Sequence, residues 1–198
     1  MKAIHYERFK VNFKIEKTFM LIKEYNPDWS NQFQKIKEKL SQSLLGIDVN
    51  IEHIGSTSVP NLAAKPIIDI DIIYYQVTDF ERITNNLKSF GYYHNGNQGI
   101  EGREVFKRNA KLDDEVLDKI SHHLYVCKND SDELHRHILS RDYLRKNEIA
   151  REFYENLKYQ IAEEANQDRK LYAQLKQLKA NSFVNFIIEL SRSNHLKL

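Results

Sequence analysis

Apolar residues recur every three or four positions in the segment that follows Pro27. This spacing is typical of one face of an amphipathic helix, and it predicts a helix that begins at Asp28 or Ser30 and runs to Leu44. Gly46 ends this helix, because glycine readily adopts the left-handed conformation found after helix C-termini. The face expected to cover a sheet consists of Trp29, Phe33, Ile36, Leu40 and Leu44.

A different pattern follows, in which apolar and polar residues alternate with a period of two. It predicts β-strands at about 48–54 and 66–75. Successive side chains of a strand point to opposite faces of the sheet. The isoleucines of the second strand therefore enter the core, while Asp69 and Asp71 share the other face.

The rest of the chain predicts two more strands and several helices. A helix is expected over 79–90, and strands are expected near 103–108 and 120–127. The turn-rich segment 91–102 either connects a hairpin or folds over a substrate. Three helices follow at about 131–146, 148–165 and 168–192, with buried stripes formed by Leu134, Ile138, Leu139, Phe153, Leu157, Ile161, Leu171, Leu175, Leu178 and Phe183.

This order of elements predicts an α/β (α+β) fold, in which a mixed sheet is flanked by helices and followed by a helical cap from about residue 131. No Pro/Gly/Ser-rich linker divides the 198 residues, so we expect one domain at 21–198 after an N-terminal extension at 1–20. The sequence does not indicate the oligomeric state.

Composition narrows the class of protein. The net charge of +2 gives no general attraction to nucleic acid, which is not an expected partner. No apolar run approaches the roughly 20 residues that span a bilayer, so no membrane partner is expected either. The single cysteine, Cys127, excludes an internal disulfide and is typical of a reducing compartment, which predicts a cytoplasmic location.

Candidate chemistry concentrates in HIGSTSVPNLAAKPIIDIDI, residues 53–72. Gly55 permits a sharp turn, and Ser56, Thr57 and Ser58 can cap a helical turn whose N–H groups favour phosphate. The two aspartates can bind one Mg²⁺ or Mn²⁺ or bridge two ions, because carboxylates this close need a cation to neutralise them. The alternative for an isolated Asp-x-Asp is a pair of side chains facing solvent on an open sheet.

The Gly-Ser pair, followed after residues 57–68 by Asp-apolar-Asp-apolar, resembles the signature of the nucleotidyltransferase superfamily, which has the DNA polymerase β-like fold. The whole stretch 53–72 resembles the hallmark of the GrpB-like family. YNPDWSNQF at 25–33, HHLYV at 122–126 and RDYLR at 141–145 extend this resemblance over nearly the whole chain. The resemblance implies a nucleotide or another phosphorylated small molecule as the partner.

Most active members of the superfamily that the chain resembles use three carboxylates. Asp69 and Asp71 match two of them, whereas HHLYV, the strand expected to carry the third, contains no acid. If the apolar residues of this strand face the core, His123 and Tyr125 face the carboxylates. His123 would then act as a metal ligand, a general base or a phosphate contact, or else as a structural hydrogen-bonding residue. Two other acids, Glu52 and Glu104, are interpreted as exposed side chains.

The basic residues that could bind a phosphate chain are Lys65, Arg103, Lys107, Arg141 and Arg145. The first two lie within motifs that resemble the family. Arg141 and Arg145 stand one helical turn apart, so both can face one anion, or one can pair with Asp142 or Glu148. Three further positions resemble the family's C-terminal helices, namely Lys158, Tyr172 and Lys176. Unless they bind a ligand, these side chains are expected on a solvated helix face.

Three hypotheses of function follow. The first is a Mg²⁺-dependent enzyme that transfers a nucleotidyl or related phosphoryl group to an acceptor. The second is a catalytically degenerate module that binds a nucleotide or a coenzyme-A-related metabolite, and the missing third carboxylate motivates it. The third, RNA binding, is the weakest, because the charge is balanced and basic and aromatic residues do not recur together.

Overall fold

Five strands form a mixed sheet in the computed structural model, which describes residues 20–109 and 112–195. The strands are β1 (Val49–Ile54), β2 (Ile68–Tyr74), β3 (Tyr92–His94), β4 (Arg103–Arg108) and β5 (His122–Lys128). Their order across the sheet is β1-β2-β5-β4-β3. β2 and β5 run parallel, and the other neighbouring pairs are antiparallel. The predicted mixed sheet is therefore confirmed.

Six α-helices accompany the sheet within the described ranges: α1 (Asp28–Ser43), α2 (Asp79–Ser89), α3 (Glu115–Lys119), α4 (Asp132–Lys146), α5 (Glu148–Glu164) and α6 (Arg169–His195). Two elements were not predicted. Segment 91–102 contributes the short strand β3, which pairs with β4 as a hairpin. The acidic stretch between β4 and β5 contains α3, whose first amides are capped by the Asp114 carboxylate.

One face of the sheet carries the first hydrophobic core. The predicted stripe of α1 packs there against the isoleucines of β2, and Ile36, Leu40, Ile70 and Ile72 are fully buried. Alternation along β2 places its two aspartates on the opposite face, as predicted. The hydrophobic period thus assigns the faces of the central strand correctly.

The second hydrophobic core lies between α5, α6 and the loop 59–67 that leads into β2. The predicted buried stripes of α5 and α6 are partly wrong. Phe153 is 55% exposed and Leu178 is 74% exposed, and Leu171 is exposed as well. On α5 the buried face is shifted by one residue, which rotates it by about 100°. It consists of Tyr154, Lys158, Ile161 and Ala162.

No helix in residues 20–109 and 112–195 is long and apolar enough to span a membrane. The predicted N-terminal extension at 1–20 falls almost wholly outside the described residues. The domain division and the cytoplasmic location stay predictions.

Candidate functional site

The Gly-Ser turn is pressed against the first aspartate of β2. Gly55 has φ of 70° and ψ of −174°, and it precedes a short 3₁₀ turn at Ser56–Ser58. A Cβ at residue 55 would lie 2.4 Å from Oδ2 of Asp69. Only glycine combines this backbone conformation with such a close approach. The predicted phosphate turn and the predicted metal ligand are therefore in direct contact.

A buried hydrogen-bonded chain behind the turn fixes its position. The Thr57 hydroxyl donates to the Ile67 carbonyl oxygen over 3.1 Å, so it accepts from Nε2 of His53, also at 3.1 Å. The His53 ring stacks on Phe33, with a centroid distance of 4.7 Å. Burial lowers the pKa of His53 to about 4 despite the nearby Asp69, which opposes the shift. The Thr57 side chain is thus used inside the fold, and His53 is a positioning residue that sequence reasoning missed.

Strand register brings His123 to Asp69. The two residues are partners in the parallel β2–β5 pairing, and the His123 Nδ1–H donates to Oδ1 of Asp69 over 2.8 Å. The His123 side chain is 52% exposed, so its Nε2 can reach a ligand. The prediction that β5 turns this histidine towards the carboxylates holds for its placement, whereas its chemical role stays a prediction.

The second aspartate is buried and paired with a histidine that sequence reasoning missed. Nδ1 of His137, on α4, donates to Oδ2 of Asp71 over 2.8 Å, and Nε2 lies 3.3 Å from Oε1 of Glu133. Burial opposes a charge on this ring, but the hydrogen bonds to both carboxylates outweigh it and raise the pKa of His137 to about 9. The imidazolium supplies positive charge to Asp71, whose side chain is fully buried.

The Glu133–His137 spacing was readable in the sequence, because residues four apart share one helix face. The crossing of α4 over Asp71 was not readable, since it depends on tertiary packing.

Arg103 and Tyr125 extend the site along the same sheet face. The Arg103 guanidinium lies 4.7 Å from the centre of the Tyr125 ring, and Nη1 is 4.0 Å from Glu133 Oε1. The Arg103 Nε is buried and has no hydrogen-bond partner among the described residues. Lys65 is close enough to Asp69 to be influenced by its charge, but burial, together with Arg169 and Lys176, lowers the pKa of Lys65.

Arg141 and Arg145 support the turn from behind. Arg141 Nη1 donates to Glu52 Oε2 over 2.6 Å and to the His53 carbonyl over 3.0 Å, and Nε donates to Asp142. Arg145 donates to the Ser58 carbonyl from Nε and Nη2. Of the two predicted ion pairs, the one with Asp142 forms. These donors hold the protein's own groups, and the predicted contact of the two arginines with an anion stays a prediction.

The remaining candidates lie apart from the carboxylates. Glu104 pairs in register with Val126, which points to the α1 face, and its carboxylate contacts His94 at 2.6 Å. Lys107 is exposed on β4. Two residues predicted on a solvated face are buried instead, namely Lys158 and Tyr172. Within the described ranges, no three His, Cys, Asp or Glu side chains are grouped so as to hold a metal ion.

Comparison with known proteins decides the family. The profile described as GrpB protein matches residues 20–188. The chain belongs to the GrpB family. Glutamate-rich protein GrpB of Alkalihalophilus pseudofirmus is 34% identical over 173 residues, which are 86% of this chain and 97% of that protein. UPF0157 protein YqkA of Bacillus subtilis is 36% identical over 138 residues, but the match covers only 38% of YqkA's length.

Solved structures agree with this assignment. The crystal structure of conserved protein GrpB from Enterococcus faecalis superposes with a TM-score of 0.71 at 30% identity, over 88% of this GrpB chain and 99% of that one. Cid1 in complex with its short product ApU gives a TM-score of 0.51 at 14% identity, over 80% of this chain and 47% of Cid1. Cid1 is a poly(U) polymerase, and the likeness shows the nucleotidyltransferase fold alone.

Proposed function

We propose that this GrpB-family chain binds a nucleotide, or another phosphorylated small molecule, at the Gly-Ser turn and transfers a nucleotidyl or phosphoryl group from it to an acceptor. The observation that carries the proposal is the contact between Gly55 and Asp69, with Asp71 and His123 on the same sheet face. A phosphate held by the turn's backbone would lie beside the two carboxylates.

His123 supplies the acid-base group in this proposal. Its Nδ1–H is held by Asp69, which fixes the tautomer and leaves the Nε2 lone pair directed away from the carboxylate. Nε2 takes the proton of an acceptor hydroxyl as that oxygen bonds to phosphorus, and the bond from phosphorus to the leaving pyrophosphate or nucleoside diphosphate breaks. The exposed position of the ring suits this role better than a purely structural one.

A divalent cation, Mg²⁺ or Mn²⁺, belongs to the same proposal. Carboxylate oxygens are the ligands that these ions prefer, and Asp69 and Asp71 provide them from one strand face. His137 already neutralises Asp71, and among residues 20–109 and 112–195 no third carboxylate is grouped with the pair so as to hold a metal ion, so the side chains fit one cation rather than two. A bound cation would neutralise charge on the phosphate oxygens.

Binding experiments on matched variants test the proposal. Wild-type protein is titrated with MnCl₂ and then with each of the four ribonucleoside triphosphates, alongside Asp69→Asn/Asp71→Asn. The control, Asp48→Asn/Asp130→Asn, removes the same charge from two exposed positions. We expect wild type and control to bind Mn²⁺ and nucleotide, and the first variant to bind neither while it keeps its circular dichroism spectrum.

Transfer is measured as release of pyrophosphate or of a nucleoside diphosphate with small-molecule, protein and RNA acceptors. Equal binding by all three proteins, or no binding by wild type, would reject the proposal. Binding without transfer to any acceptor would instead support the inactive module, which none of the comparisons with known proteins favours.

A further inference from the structure

Helix α5 holds both polar groups of one loop residue. The loop 59–67 joins the Gly-Ser turn to β2, and the Ala63 N–H donates to Oε2 of Glu155 over 2.5 Å. The Ala63 carbonyl accepts a hydrogen bond from Nζ of Lys158. Residues 155 and 158 lie one helical turn apart, so one face of α5 provides both partners.

The next loop residue is held from the opposite side. The Ala64 N–H donates to the Lys23 carbonyl over 2.8 Å, and the Lys23 N–H donates back to Ala64 over 2.9 Å. The polar groups of consecutive residues in an extended chain point to opposite sides. Residues 63 and 64 therefore make hydrogen bonds on both sides, as a central strand of a sheet does. The partner on one side is the backbone of Lys23, and the partners on the other side are the side chains of Glu155 and Lys158.

Lys158 is unusual for a lysine, because it is only 1% exposed. Its Nζ lies 5.0 Å from the centre of the Tyr154 ring, and burial, reinforced by Lys176, lowers its pKa well below the ordinary value. Burying an amine is costly unless it is hydrogen-bonded. The Ala63 carbonyl is the acceptor that satisfies it, so this contact constrains where the loop lies against α5.

The position of Ala63 is transmitted to the site through a few residues. Val59 and Leu62 are fully buried in the core of the C-terminal helices, which fixes the loop on the turn side. On the strand side the Ile67 carbonyl accepts from Thr57, only two residues before Asp69. Ile54, which precedes the turn, pairs with Asp69, so a shift at residue 63 would act on the turn through residues 59–62 and on the strand entry through residues 65–67.

We propose that Glu155 and Lys158 are positioning residues, which restrain the Gly-Ser turn and the entry into β2 by fixing Ala63 on α5, in addition to the pairing of Ile54 with Asp69. Only the catalytic meaning of this inference rests on the proposed function. The positioning itself is a property of the protein without ligand.

Hydrogen exchange measured by mass spectrometry tests the positioning. The variants are Glu155→Ala and Lys158→Met, with Glu152→Ala and Lys170→Met as controls at exposed positions of α5 and α6. We expect exchange of peptides covering 55–67 to be about tenfold faster in the two variants, with unchanged exchange over β5. Lys158→Arg restores part of the protection, because it keeps a donor.

Unchanged exchange over 55–67, or an equal rise over β5, would overturn the inference. Ligand affinity provides the second measurement, with MnCl₂ and ATP as the probes. If wild type binds them, Glu155→Ala should bind ATP about tenfold more weakly than Glu152→Ala at a similar melting temperature. Equal affinity of these two proteins would contradict a role at the site. If wild type binds neither probe, the proposed function fails, and exchange alone decides the positioning.

Discussion

Gly55 has two separate reasons to be glycine, at the scale of a single residue. Its φ of 70° is a conformation that L-residues rarely adopt, and its α-carbon faces the Asp69 carboxylate with no room for a methyl group. Gly46 has the first reason only, because its φ is 81° and nothing lies within 4 Å of the added atom. The two positions therefore separate backbone strain from steric contact.

Gly55→Ala is expected to destabilise the fold by about 1–3 kcal/mol and to displace the Asp69 carboxylate, which abolishes Mn²⁺ binding. Gly46→Ala, the matched control, should cost about 1 kcal/mol and leave binding unchanged. Urea denaturation and Mn²⁺ titration measure the two effects. Equal behaviour of both variants would mean that the contact with Asp69 does not matter.

His53 gives the protein a specific dependence on pH. Its pKa falls from 6.5 to about 4 on folding, so the unfolded chain binds the proton first as the pH decreases. The free energy of unfolding is unaffected above pH 6.5 and decreases between pH 6.5 and 4, by up to about 3 kcal/mol from this group. His53→Gln should lose this component, which is measured as the difference between the unfolding free energies of the two proteins across that range. A constant difference would refute the prediction.

The sequence predicts the residues of the site unevenly, for a physical reason. Periodicity places Asp69, Asp71 and His123 on one sheet face, because neighbouring strands of a sheet share the alternation. His137 and Glu133 come from a helix that packs over this face, and helix packing is not local in sequence. His53 is not predicted because it points to the core face of the sheet. Its ring packs there against Phe33, and its Nε2 donates to the Thr57 hydroxyl of the turn.

Helix α4 acts as a single element that serves the site with polar side chains. His137, Arg141 and Arg145 lie at intervals of four residues and contact the buried aspartate, the end of β1 and the 3₁₀ turn in sequence. A stripe of charged residues at this spacing is usually a solvated face. Here it covers the sheet, because the groups beneath it are carbonyls and carboxylates.

Arg141→Met is expected to destabilise the protein by about 2 kcal/mol, because it removes a charged donor from the His53 carbonyl and from the half-buried Glu52 carboxylate. Arg136→Met is the control on the same helix, since the hydrogen bonds of Arg136 to described residues are exposed contacts with Asn181 and Asn185 of α6. Its cost should stay below about 0.5 kcal/mol. The midpoints of urea denaturation compare the two variants, and similar midpoints would rule out a supporting role for Arg141.

Elements with a long and regular pattern were predicted to within a few residues, whereas short ones were missed. β3 and α3 have three and five residues, too few to repeat a period. The predicted stripe of α5 is wrong because a lysine at this position predicts a solvated face, whereas the buried face includes Lys158. Prediction from periodicity assumes that charged residues face solvent, and a buried lysine does not follow this assumption.

The two larger hydrophobic cores of the described residues share one loop. Trp29 belongs to the core beneath the sheet, while the loop between the Gly-Ser turn and β2 contributes Val59 and Leu62 to the core of the C-terminal helices. Because a short covalent connection links the two cores, we expect them to unfold together.

Urea unfolding followed by Trp29 fluorescence and by far-ultraviolet circular dichroism should give coincident transitions. The first signal reports the sheet core, since Trp29 is the chain's single tryptophan, and the second is dominated by the helices. Loss of helical signal at a lower urea concentration than the change in fluorescence would show instead that the C-terminal helices detach independently.

Cys127 lies beneath the carboxylates, with its Sγ 4.0 Å from Oδ1 of Asp71. It is fully buried, and burial together with the nearby aspartate raises the pKa of its thiol. Because alkylating reagents need an accessible thiolate, they modify this side chain only when the sheet face opens. The chain has one cysteine, so the rate of its modification reports how often solvent reaches the buried aspartate, with no engineered label.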